Sequence, residues 1–187
     1  MATPFIKKYL AITDLELTGL DVRKHEIIEI AALLVHQESM DIIKIFESKV
    51  TPAHVETGDP VSLRIAGYEP DLWKEAPPLK EALEMYVSFL GNSDAVFAAW
   101  NNTTDWAFLE EGFKKTGTKD PFDYHRYDIW TAAAELLKGV DLEKISLSCI
   151  RTHLHLAVEP SPHRAINGAR GAYEVLKKLR SNHEYTS

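Results

Sequence analysis

"YLAITDLELTGL", residues 9–20, is the stretch on which the fold turns. "YLAIT" is rich in aromatic, aliphatic and β-branched residues and predicts a strand over 9–13, while Thr18-Gly19 predicts the turn that closes the segment. Between them stand Asp14 and Glu16. Residues two apart in extended backbone project from one face, so the two carboxylates lie side by side. Neighbouring anions repel, and two arrangements tolerate them: solvation at a sheet edge, or a divalent cation between them.

Working outward, "EIIEIAALLV" (26–35) predicts a longer strand apolar on both faces, and "DIIKIFESKV" (41–50) one that alternates. The short links predict an antiparallel meander of three strands. The chain then passes through the polar loop "PAHVETGDP" and "VSLRIAGY" to a helix in "PLKEALEMYVSFL" (78–90), where Leu79, Leu83, Tyr86, Val87 and Leu90 fall at helical spacing. "DAVFAAW" (94–100) predicts a buried strand. "NTTDWAFLEEGFKKTG" (102–117) predicts a helix with an apolar stripe of Trp106, Leu109 and Phe113 and a glycine stop. A short strand around "YDIW" (127–130), helices in "TAAAELLKG" (131–139) and "ISLSCIRTHLHL" (145–156), the loop "AVEPSP" and a last helix from about Ala165 complete the chain. The buried stripe of that helix is Ala165, Ala169, Ala172, Leu176 and Leu179. Alternating strands and helices give an α/β class, read as one domain over 1–181 with a frayed tail at 182–187.

The formal charge is −7 over 187 residues. That argues against a protein that coats a nucleic-acid duplex with a broad basic face. It does not exclude an acidic site that accepts a phosphodiester once cations are bound. The single cysteine, Cys149 in "ISLSCI", reads as a reduced core thiol. With no apolar run long enough for a membrane span and no leader-like start, the expectation is a cytoplasmic protein with no membrane partner.

Three further residues are candidates for chemistry. Asp105 opens the helix after "FAAW", where the macrodipole alone favours an acid. Asn101 fits a turn or cap. His163 follows Ser161-Pro162 in a loop. It is either solvated or a general base for water, because imidazole gains and loses a proton near neutral pH.

Taken together, "TDLELTGL", "WNNTTDWAFL" and "PHRAINGARGAYEVL" resemble, in order and approximate spacing, the three motifs of the DEDDh-type 3′-to-5′ exonucleases, a group that includes polymerase proofreading subunits and oligoribonucleases. "IIEIAALLV", "VTP", "RIAGY", "YDIW" and "ISLSCIRTHLHL" extend the likeness over nearly the whole chain. The resemblance implies a ribonuclease H-like mixed five-stranded sheet flanked by helices, with acids gathered at one sheet end. It implies hydrolysis of single-stranded DNA or short RNA from the 3′ end to nucleoside monophosphates, with two Mg²⁺ or Mn²⁺ ions. Residue by residue, it makes Asp14, Glu16 and Asp105 metal-binding and His163 the base, with Glu16 also orienting water. It makes Thr18 and Leu20 the backbone grip and apolar wedge at the terminal nucleotide, and Asn101 a polar neighbour.

The chain departs from the pattern at three places. Trp100 and Thr104 replace a histidine and a phenylalanine of the second motif, and Gly168 stands where the third has its acid. A pair of unit charges about 4 Å apart at an effective dielectric of about 20 is worth about 4 kcal/mol, so the missing acid weakens one cation. Glycine is itself unfavourable in a helix by about 1 kcal/mol. Its use here fits close packing of the helix, or room for a substrate group. The alternative to a weakened enzyme is an inactive pseudo-nuclease that binds a 3′ end or a protein; a third reading is a small-molecule phosphodiesterase.

Overall fold

The computed structural model describes residues 4–142 and 144–183. Strand β1 (Tyr9–Leu17) pairs antiparallel with β2 (Ile27–His36), and β2 with β3 (Ile42–Lys49). On the other side β1 pairs parallel with β4 (Ala95–Ala99), and β4 with β5 (Arg126–Asp128). The sheet order is β3-β2-β1-β4-β5, the mixed five-stranded arrangement expected.

The alternation of β1 sends its side chains to two cores. Ala11 and Leu15 join Phe97, Leu83, Tyr86, Phe108 and Leu109 beneath α3 (Leu79–Leu90) and α4 (Thr103–Thr116). Leu10 and Ile12 join Leu33, Val96, Ala98, Ala169, Ala172 and Leu176 beneath α7 (Ala165–His183). β2 is buried on both faces, as its apolar run implies, except at His36. The predicted stripe of α7 is buried throughout, and its three alanines let the helix lie close to the sheet.

Several boundaries differ from expectation. β1 continues past Thr13 to Leu17, because backbone pairing with β2 persists through two acidic residues that strands usually avoid. Two short helices lie in the 60–73 region, where none is evident from periodicity: α1 (Pro60–Ile65) and α2 (Pro70–Trp73). Asp59 caps α1 by accepting from Val61 N at 2.7 Å, with Pro60 in the first turn. In "YDIW" only Tyr127 and Asp128 are strand. Asp128 accepts from Thr131 N and starts α5 (Ile129–Leu136) two residues earlier than predicted. Helix α6 (Leu147–His153) is shorter than predicted, starting at the Ser146 cap. Cys149 is only half-buried on it, with Ile150 taking the core position, which corrects the core-thiol reading. The expected frayed tail begins in helix, since α7 runs through His183; residues 184–187 lie outside the described residues. Among the described residues no helix is long and apolar enough to cross a membrane.

Candidate active site

The site forms where β1 outruns its parallel neighbour. β4 pairs with β1 only along Tyr9–Ile12, so Asp14 and Glu16 stand on a stretch held by β2 alone. Such an opening beyond the carboxyl ends of parallel strands is where α/β sheets place ligands. The backbone edge left free there is partly satisfied by Asp105: its Oδ1 accepts from Leu15 N at 3.2 Å, across from the first turn of α4. Asp105 is buried, and this bond fixes its carboxylate beside β1. The turn that feeds α4 is held by Asp128, whose Oδ1 accepts from Asn102 N, and Asn101 adopts a left-handed φ of 54°.

Asp14 and Glu16 project from the face that α7 covers, and α7 meets Asp14 at Gly168. A Cβ on Gly168 would come within 2.6 Å of Asp14 Cγ, so only glycine lets the helix and this carboxyl coexist as placed. At 168 the helix thus meets the carboxyl end of the Asp14 side chain. Gly171, one turn on, makes the same kind of room for the Arg151 guanidinium.

The carboxyls feel one another. Burial, then Asp105, Glu16 and Glu159, push Asp14 well above the usual aspartate range. Burial, followed by the charges of Glu29 and Glu159, raises Glu16 to about 8, against a smaller pull from Arg164. Glu29 is the residue directly opposite Glu16 on β2, a like-charge cross-strand pair. Burial lifts Asp105 to about 7, opposed by hydrogen bonds from its own backbone N and from Leu15 N.

Glu29, only 3% exposed, builds the other wall of the site. Oε1 accepts from Arg164 Nη1 at 2.8 Å, Oε2 from Ala165 N at 3.2 Å, and Lys49 Nζ lies 3.8 Å away. It thus serves as a cap for α7 from across the sheet. His163, immediately before that helix, is anchored by its backbone N donating to Ile65 O at the end of α1. Its side chain is 54% exposed, with Nδ1 3.9 Å from Glu159 Oε1. His163, Glu159, Asp105, Asn101, Trp100 and Trp130 line one open cleft of about 490 Å³.

The structure therefore gathers Asp14, Glu16, Asp105 and His163 at one end of the sheet, with Asn101 on the cleft wall. Leu20 stands 78% exposed beside Glu16 in an adjoining hollow with Leu17, Ser62 and Ile65. Thr18 is different. It is fully buried, its N donates to Glu26 O, its carbonyl accepts from Asp59 N, and its hydroxyl accepts from Glu26 N. These bonds lock the β1–β2 turn and engage the Thr18 backbone N–H and carbonyl within the fold. Two residues escape the sequence reading, Glu29 and Glu159. A charge inside the apolar run "EIIEIAALLV" is a signal for the first; the acid four residues before His163 is one for the second.

Oxygen-only donors suit hard divalent cations. Carboxyls that raise one another's proton affinity are the setting a cation relieves. Among the described residues no group of three or more His, Cys, Asp or Glu side chains forms a ready-made cage. Asp14, Glu16 and Asp105 are the oxygen donors at hand, and a magnesium-type ion would need waters or phosphate oxygens to complete its shell.

The mixed sheet, the helices on both faces and the acids at its parallel ends define a ribonuclease H-like exonuclease fold. The chain matches the exonuclease (RNase T) family profile over residues 11–176 and belongs to that family. It is similar to DNA polymerase III of the PolC type from Halalkalibacterium halodurans, with 28% identity over 179 residues, 94% of this chain and 12% of that protein. The PolC-type polymerase of Oceanobacillus iheyensis is 28% identical over 175 residues, 90% of this chain and 11% of its own. The chain thus spans only about an eighth of these relatives. Among solved structures, the nuclease domain of 3′hExo, a DEDDh family member bound to rAMP, superposes with a TM-score of 0.78 at 18% identity, covering 96% of this chain and 95% of that one. Escherichia coli exonuclease I in complex with an oligonucleotide gives a TM-score of 0.79 at 15% identity, covering 96% of this chain and 42% of that one.

Proposed function

We propose that this chain is a metal-dependent 3′-to-5′ exonuclease that releases nucleoside monophosphates from single-stranded DNA or short RNA. The observation that carries the reading is the convergence of Asp14, Glu16 and Asp105, from β1 and α4, beside the cleft that His163 lines. Asp14, Glu16 and Asp105 would hold the Mg²⁺ or Mn²⁺ ions. When bound, such ions supply Lewis-acid stabilisation of charge on the phosphate and a more acidic water.

The chain's own residues account for the rest of the chemistry. His163, exposed and held at its backbone, takes the proton from the attacking water. Glu16, at the mouth of the acid group, orients that water. Leu20 packs against the terminal nucleotide, since an apolar side chain this exposed beside the acids gains by covering a base. Asn101 offers hydrogen bonds from the cleft wall. Gly168 favours the second reading, a pseudo-nuclease that retains a 3′ end without cutting it, because α7 presents backbone rather than a carboxylate to Asp14.

The test is release of mononucleotides from a 5′-labelled oligonucleotide with Mg²⁺ and with Mn²⁺. Stepwise shortening from the 3′ end, lost in Asp14→Ala, is expected. Shortening that persists in Asp14→Ala belongs to a contaminant, and none with either ion leaves the pseudo-nuclease.

A further inference from the structure

Two hollows flank the acids. On one side Leu20 shares a hollow with Glu16, Ser62 and Ile65; on the other lies the cleft of about 490 Å³ that Asp105 and His163 share with Trp100 and Trp130. That volume is in the range of clefts that take small molecules. Charge narrows the occupant. Among the described residues that line the cleft there is no lysine or arginine, whereas Asp105 and Glu159 are acids, so a phosphate group gains nothing there. A neutral planar group does, and Trp130 is built to meet one. Ile129 before it is fully buried and fixes the start of α5, while Trp130 Nε1 donates to Ile145 O at 2.8 Å. With its polar atom engaged, the indole, 37% exposed, has only ring surface left to offer. Asp128 ties this wall to the opposite one: Oδ2 accepts from Thr131 N in the first turn of α5, and Oδ1 from Asn102 N beside Asn101, each at 3.2 Å. The two walls are thus set before anything enters, which lowers the ordering cost of binding.

We infer that Trp130 is the stacking platform for the base of the penultimate nucleotide, the one on the 5′ side of the bond to be cut. The inference rests on the nucleolytic reading of the site. With the terminal nucleotide against Leu20 and its phosphate among Asp14, Glu16 and Asp105, the next nucleoside falls on the His163 side, where the Trp130 cleft begins. A base laid on the indole is turned away from any complementary strand. The cleft therefore selects unpaired 3′ ends of two nucleotides or more, with little preference among bases, because every base has a π-face to offer.

The test is fluorescence anisotropy of short 5′-fluorescein oligothymidylates, with Ca²⁺ as the ion and strand integrity checked on a gel. Three strands are compared: intact, abasic at the penultimate position, and abasic several positions upstream. The wild-type chain is expected to bind the penultimate-abasic strand about tenfold more weakly than the intact one, as loss of a stacked base does, and the upstream-abasic strand like the intact one. Trp130→Ala is expected to bind intact and penultimate-abasic strands alike, and Trp130→Phe to keep most of the difference; far-ultraviolet circular dichroism checks the fold of each variant. If Trp130→Ala weakens both strands equally and keeps the tenfold difference, the indole merely supports α5 and the stacking role is overturned. A wild-type chain that binds intact and penultimate-abasic strands alike overturns it too, and in both cases mononucleotide release leaves the exonuclease reading standing. No binding to any strand also overturns the role of Trp130, and removes the exonuclease reading with it when release is absent as well.

Discussion

Replacing Gly168 with aspartate tests whether the α7–β1 contact is as close as it stands here. The new Cβ would lie 2.6 Å from Asp14 Cγ and 2.9 Å from its Oδ1, so Asp14 must leave its position, at a cost of about 1 kcal/mol for an off-rotamer side chain. A second carboxylate then faces the first across about 4 Å, which costs about 4 kcal/mol at an effective dielectric of about 20 when both are ionised. Aspartate recovers only a few tenths of a kcal/mol over glycine in helix propensity. A net loss of about 4–5 kcal/mol lowers the melting temperature of a domain this size by roughly 15 °C. Thermal unfolding followed by circular dichroism in EDTA at pH 8 reads the effect directly. Adding Mn²⁺ should recover most of the loss, because a cation converts the repulsion into ligation. A Gly168→Asp chain that melts in EDTA at or above the wild-type temperature would refute the reasoning, since the glycine would then have no steric or electrostatic duty.

Other outcomes follow from the same geometry. Glu16 rises from 4.5 to about 8 and Asp105 from 3.8 to about 7, so between these limits the folded chain holds protons that the unfolded chain releases. The stability these groups contribute is complete below about pH 4 and is lost as pH rises through 7 to 8. Melting temperatures in EDTA should therefore fall from pH 5.5 to 8.5, more steeply than with saturating Mg²⁺, and a flat or rising profile would contradict the burial of these acids. Glu29→Ala strips Arg164 of its ion pair and leaves Ala165 N without its acceptor, an expected loss of about 3 kcal/mol by urea denaturation. Leu83→Ala empties a fully buried position beneath α3, with an expected loss of about 2–5 kcal/mol and unchanged Mn²⁺ binding.

The reach of sequence differs from one part of the chain to another. The long helices and the stripe of α7 were legible because each buries a periodic apolar face, and β2 and β4 because their runs are apolar on both faces, whereas the three-residue β5 buries no residue fully. The end of β1 was not. Asp14 and Glu16 disfavour a strand locally, and only pairing with β2 carries the backbone on to Leu17. Helices α1 and α2 are too short for periodicity to register, although Asp59-Pro60 is a cap signal in plain view. The convergence of the acids depends on β1 extending beyond β4 and on Asp105 bonding the exposed edge, both long-range facts. The closure of the β1–β2 turn by Thr18, through Glu26 and Asp59, is likewise a contact that no local pattern announces.

The order of elements along the chain has a bearing on synthesis. Asp14 and Glu16 lie on the first strand and His163 just ahead of the last helix, so a polypeptide emerging from the ribosome exposes the two acids long before the imidazole exists. On the proposed function, the early segments lack the base, however complete the sheet. The candidate groups come together only when α7 docks on the sheet, where Ala169, Ala172 and Leu176 pack and Gly168 meets the Asp14 carboxyl. On the proposed function, tethering that helix away from the sheet would part His163 from the acids without altering any candidate residue.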